Sequence, residues 1–142
     1  LYSGSLAGLS SPVQNYSPVI IADIDMDAGA SIVEQIPANY NGFIYVISGN
    51  TNVGDPGVTL KKDEVGWLDW SADDVASNLV LTAGEAGARM VLYAGKPTGD
   101  NIVSHGPFIA GSTADIQRLY TEYRLGKMEH IAEVSESQRI LL

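Results

Sequence analysis

Gly29-Ala30-Ser31-Ile32-Val33-Glu34-Gln35-Ile36-Pro37-Ala38-Asn39-Tyr40-Asn41-Gly42-Phe43-Ile44-Tyr45-Val46-Ile47-Ser48-Gly49 is the most informative segment of this chain. A glycine stands at each end and a third, Gly42, opens the half richest in β-branched and aromatic residues. Gly42 to Ser48 is therefore the clearest strand of the chain. Upstream, Val19 to Asp25 reads as another strand. Asp55-Pro56-Gly57 reads as a turn, because Pro sets φ and Gly tolerates φ > 0. Further strands are expected near Val58–Lys62, Glu64–Trp70, Asn78–Thr82 and Arg89–Tyr93, with Gly84-Glu85-Ala86-Gly87 separating the last two. Short strands between turn signals make an all-β sandwich or barrel. The end of the chain differs. Ser112 or Thr113 can cap a helix, Asp115 favours its first turn, and Ile116, Leu119, Tyr120 and Tyr123 form one apolar stripe. The helix is expected near 113–125, with Gly126 as its stop. One domain is expected over 1–126. Residues 127–142 read as a tail, a second helix or a docking segment.

The spacing in the opening stretch resembles the first motif of cupins: Gly, five residues, His-x-His, four residues, Glu, six residues, Gly. Both framing glycines are present, but the ligand positions hold Gln35, Pro37 and Gly42. Imidazole and carboxylate bind transition metals through lone pairs on small, orientable groups. Proline and glycine side chains have none, and an amide oxygen is a poor substitute. A fainter second motif counted from Gly66 places Ala72, Asp74, Ser77 and Leu81 at its named positions, so the last His ligand is Ser77. The resemblance implies a cupin fold, a double-stranded β-helix or jelly-roll barrel, and the substituted ligand positions imply no metal in this domain. Gln35, Pro37, Ile44, Val46 and Ser77 are expected to line the vacated pocket. Such a pocket either holds a small apolar ligand or fills with side chains. The chain has two histidines, His105 and His130, and no cysteine, so a His- or Cys-rich metal centre cannot be assembled from it.

Met90-Val91-Leu92-Tyr93-Ala94-Gly95-Lys96-Pro97, His105-Gly106-Pro107-Phe108 and the helix end Tyr123-Arg124-Leu125-Gly126-Lys127 together resemble the C-terminal cupin domain of the pirin family. Ile36-Pro37, Phe43 to Gly49 and Ser3-Gly4 fit the same domain. The resemblance implies a two-domain parent whose iron site lies in an N-terminal cupin outside this chain. It also implies quercetin dioxygenase activity in some members and transcriptional co-regulation through protein contacts in others. The role expected for this chain is structural or interactive, beside that N-terminal cupin. The rival expectations are a share in a quercetin 2,3-dioxygenase whose catalysis lies in the other domain, and a small-molecule-binding barrel. His105 stands where the family commonly has Tyr, and the Pro107–Ser112 loop departs from the family pattern. This marks His105 and Phe108 as a candidate interface.

Bulk properties narrow the classes. A chain of 142 residues with 45% apolar content fits one globular domain. A net charge of −9 with eight Lys and Arg argues against direct nucleic-acid binding, which needs clustered cations. No apolar run approaches the ~20 residues that span a bilayer. The absence of cysteine favours the cytoplasm.

Three patterns have both a sharp and a plain reading. Asp23, Asp25 and Asp27, with Glu34 at the twelfth position from Asp23, imitate a calcium loop, but Ala28 replaces the required Gly and the flanks read as strands. The plain reading is carboxylates on one solvent face. Trp67 and Trp70, three apart in an expected strand, should face opposite sides. Either one lines a cavity for a planar ligand or both are ordinary core. His105 and His130 are acid–base candidates only beside a carboxylate, and otherwise are surface residues.

Overall fold

Alternation along the longest strands places the core. In β3 (Val19–Met26), Ile20, Ala22 and Met26 are buried while Asp25 is exposed. In β5 (Asn41–Gly54), Gly42, Ile44, Val46 and Thr51 turn inward. The computed structural model describes residues 1–128. The other strands are β1 (Ser5–Leu6), β2 (Leu9–Ser10), β4 (Ser31–Pro37), β6 (Gly57–Lys61), β7 (Val65–Trp67), β8 (Ala76–Gly95), β9 (Val103–His105) and β10 (Phe108–Ala110), and one helix, α1, spans Thr113–Arg124. Where the sequence suggests one domain to Gly126, the chain divides into two compact units, Leu1–Thr98 and a second beginning at Gly99.

In the first unit a six-stranded antiparallel sheet has β8 at its centre. β3 pairs with Ala88–Gly95 of β8, and β4 pairs with Ala76–Thr82 on the same side. β5 pairs along the opposite side, and β6 and β7 pair with β5. The sheet curls around one apolar core, in which Ile44, Val46, Leu81, Met90 and Leu92 are fully buried.

The sequence suggests two strands separated by Gly84-Glu85-Ala86-Gly87. Instead β8 runs through this segment as a large bulge, because Gly49 pairs with Ala88 and Thr51 with Ala83, leaving Gly84–Gly87 opposite Asn50 alone. The break between β3 and β4 falls at the same level, closed by Gly29 N–H to the Gly84 carbonyl (3.0 Å) and Ala83 N–H to the Ala30 carbonyl (2.9 Å). β3 with β4, β8 and β5 therefore all bend at one corner. Gly49 and Gly87 make the bend possible. Both have φ near +70° (70° and 75°), where a Cβ is strained. A Cβ on Gly49 would also meet the Gly87 carbonyl oxygen, and one on Gly87 would lie 2.8 Å from the Met26 carbonyl. The framing glycine Gly49 is thus required by backbone geometry, with no reference to a metal.

The second unit is the β9–β10 hairpin with α1. Ser112 is the N-cap: its Oγ accepts the Asp115 N–H (3.1 Å) and donates to Asp115 Oδ2 (2.6 Å). That hydroxyl, followed by Arg118, holds the Asp115 carboxyl below its ordinary range. The helix ends with Gly126 at φ 66°, and the Lys127 N–H reaches the Glu122 carbonyl (2.9 Å), the pattern of a Schellman cap. Ile116 is buried and the stripe fades outward to an exposed Tyr123.

Candidate functional site in the barrel mouth

The end of the first unit away from the corner is open. Here β7 is only three residues long, shorter than the Glu64–Trp70 strand expected. Its inward position is Gly66, and the inward position at the start of β8 is Ser77, which pairs with Ile36. Leu60 packs over Gly66, and a cavity of about 590 Å³ opens beside these residues. Ile36, Leu60 and Leu79 form its apolar floor, and Val58, Val65 and Trp67 stand exposed around it.

The five pocket positions do not converge there. Pro37 and Ser77 line this cavity. Ile44 and Val46 are fully buried core residues. Gln35 is exposed and borders two shallower depressions against the N-terminal segment. The cause is strand phase. Ile36 (4% exposed) pairs into the core opposite Ser77, so its neighbour Gln35 faces outward. The Ile32–Ile36 spacing carried that signal, and the motif frame outweighed it.

The frame positions do not fit a metal. Gln35 points away, Pro37 lacks a donor, and Ser77 offers one hydroxyl. At Gly42, where the motif calls for Glu, a Cβ would lie 2.8 Å from the Tyr93 carbonyl oxygen and 2.9 Å from Leu68 Cδ1. Leu68 is held over this point by its N–H to the Gly42 carbonyl (2.9 Å). Side chain and backbone fill the space that a carboxylate would need. Among the described residues no three His, Cys, Asp or Glu side chains gather in a way that could hold a metal ion.

The calcium-like series is dispersed as well. Asp23 receives Arg89 through Nη2 (2.7 Å) and Nε (3.1 Å), and this pairing lowers its carboxyl below the ordinary value. Glu34 accepts the Ala7 N–H (3.1 Å). Asp25 is exposed on the outer face of β3, and Asp27 lies in the turn after it.

Both tryptophans differ from a core placement. Trp67 is 77% exposed and packs against Phe43 (centroids 5.4 Å apart), which stacks on Tyr93 (5.1 Å). Trp70 lies beyond β7, more than half exposed, and its Nε1–H donates to the Asn39 carbonyl (3.1 Å). Neither indole is needed to fill the interior, because the aliphatic residues of β5 and β8 already do so.

In the second unit His105 and Phe108 are cross-strand partners. Both rings meet Tyr120 edge-on, at 5.6 and 4.9 Å, and the Tyr120 hydroxyl donates to the His105 carbonyl (3.3 Å). His130 and the remainder of the expected 127–142 segment beyond Met128 lie outside the described residues.

With this geometry in hand, the likeness to known proteins is informative. The family model of the pirin C-terminal cupin domain matches residues 21–129. The chain belongs to the pirin family. Mouse pirin is 30% identical over 125 residues, covering 88% of this chain and 42% of that protein. Pirin-like protein 2 of Arabidopsis thaliana is 27% identical over 136 residues, covering 88% of this chain and 40% of its own length. The chain therefore spans less than half the length of these pirins. A crystal structure of quercetin 2,3-dioxygenase from Acinetobacter baumannii matches with a TM-score of 0.77 at 22% identity, covering 92% of this chain and 43% of that one. That likeness shows the fold: this pirin domain is a cupin, mostly β with a C-terminal helix.

Proposed function

We propose that this chain is the metal-free, non-catalytic half of a pirin-like protein. Its role is to support and contact a metal-binding N-terminal cupin, in the same protein or another, and to present surfaces to protein partners. The observation that carries this reading is Gly42, where Leu68 and the Tyr93 carbonyl occupy the place of the acidic ligand. His105 and Phe108 remain the candidate contact residues. Iron belongs, on this reading, to the N-terminal cupin. The absence of cysteine supports a cytoplasmic location. Among the described residues no helix is long and apolar enough to cross a membrane. Elemental analysis tests the proposal: purified residues 1–142 should carry no stoichiometric iron, and one iron per chain would overturn it.

A second reading is favoured by the match to the A. baumannii quercetin 2,3-dioxygenase. On it, this half shapes the approach to an active site in the neighbouring domain. Quercetin turnover by a protein joining this half to a pirin N-terminal cupin, with none from residues 1–142 alone, would support that division. Undiminished turnover by the N-terminal cupin alone would count against it.

A further inference from the structure

The geometry points to the barrel mouth as a binding site for a mostly apolar small molecule that is neutral or positively charged. This inference is independent of the role proposed above. It stands on the shape, lining and charge of the cavity in the first unit.

The volume, about 590 Å³, falls in the range of small-ligand pockets. The opening is built into the strands. Ser77 takes the inward phase at the start of β8 with a small side chain, Leu60 packs over Gly66, and the pairing of Trp67 with Phe43 sets its indole on the outer face. Beneath the opening lie Ile36, Leu60 and Leu79, at 4, 8 and 7% exposure, an apolar floor already removed from water. Above it Val58, Val65 and Trp67 are 68, 46 and 77% exposed. An exposed apolar cluster around a concavity is the surface signature of a binding site. A ligand there would bury apolar area from the rim as well as its own.

Charge selects the class of ligand. Asp55 and Asp69 border the cavity, and no Lys, Arg or His is among its described lining residues. An anion would meet two carboxylates without a counter-charge, in a chain of net charge −9. A cation gains from the carboxylates, and from the open face of Trp67 when it lies over the ring. A neutral ligand gains from the floor alone.

The chain has two tryptophans, so Trp70→Phe leaves Trp67 as the only indole reporter. This variant is titrated with decanol, decyltrimethylammonium and decanoate, each below its micelle-forming concentration. The three share one tail and differ in head charge. Decanol and decyltrimethylammonium should produce a saturable blue shift of Trp67 emission, with decanoate weaker by at least about tenfold. Ser77→Leu, added at an exposed position that borders the floor, should weaken both active ligands by at least about tenfold while the far-UV circular dichroism stays unchanged. If Ser77→Leu does not fold, Asp69→Lys decides the matter, because this exposed substitution should remove the discrimination against decanoate. The inference is overturned by the lack of a saturable shift with all three ligands. It is also overturned by unchanged affinity in folded Ser77→Leu, by decanoate binding as tightly as decanol, or by Asp69→Lys leaving the order unaltered.

Discussion

The corner of the barrel and its mouth solve opposite problems with the same residue. At the corner, Gly49 is needed because the backbone must bend at positive φ while another chain segment passes within contact distance. At the mouth, Gly66 keeps an ordinary φ, and the atom nearest its missing Cβ is Leu60 Cδ1, the end of a flexible side chain. One glycine is demanded by the backbone, and the other makes room for the Leu60 side chain. The two motif-like glycine patterns of this chain therefore carry unequal information. Gly49 reports how the sheet turns, and Gly66 reports where Leu60 packs at the mouth.

The largest effect expected is at the corner. Gly49→Ala should cost about 3 kcal/mol or more, combining left-handed strain with displacement of the Gly87 carbonyl, and urea denaturation would measure it. A loss below about 1 kcal/mol would mean that the corner yields easily and that the contrast with the mouth is false.

Leu68→Ala comes next. It removes the side chain that covers Gly42 and should cost about 1–2 kcal/mol, less than a fully enclosed leucine because Leu68 is only partly buried. The paired variant Gly42→Glu with Leu68→Ala asks whether room for a carboxylate can be restored. It should still fail to bind iron, because Gln35 faces outward and Pro37 offers no donor. Iron retention, read by elemental analysis, would show that the vacancy at Gly42 alone prevents metal binding.

Gly66→Ala should change stability by less than about 1 kcal/mol, since Leu60 can move into open space. A loss equal to that of Gly49→Ala would show that the mouth is as tightly determined as the corner.

The smallest effect lies on the outer face beside the corner, where Arg89 grips Asp23. The grip lowers the folded carboxyl below its ordinary value, so its contribution is present above that ordinary value and disappears as pH falls through the folded one. Asp23→Asn should therefore reduce the melting temperature slightly near neutrality and leave it unchanged in strong acid. Equal losses at both ends of the pH range would show that packing, rather than charge, accounts for the effect.

Much of this molecule is legible in local sequence. The β-branched run Phe43 to Ser48, the Asp55-Pro56-Gly57 turn and the Ser112 to Gly126 helix signals act through φ preferences and caps that neighbouring residues supply. The glycine frame and the three downstream blocks also led to the cupin fold and the pirin family. The pocket was less legible. Gln35 and Ile36 compete for the same inward position, and their neighbours in sequence do not settle which one wins. The Gly84–Gly87 segment looks like an interruption until β5 is present to carry the ladder past it.

That this chain is a cupin of the pirin type whose frame glycines stand without their metal ligands follows from spacing and side-chain chemistry, which are properties of the chain. That Ile36 faces inward, that Leu68 covers Gly42 and that Trp67 stands outside an open mouth is set by the folded chain. Those outcomes depend on the register of β4, β5 and β7 against their partners. A one-residue shift exchanges the two faces of a strand, and long-range pairing, not local preference, selects between them.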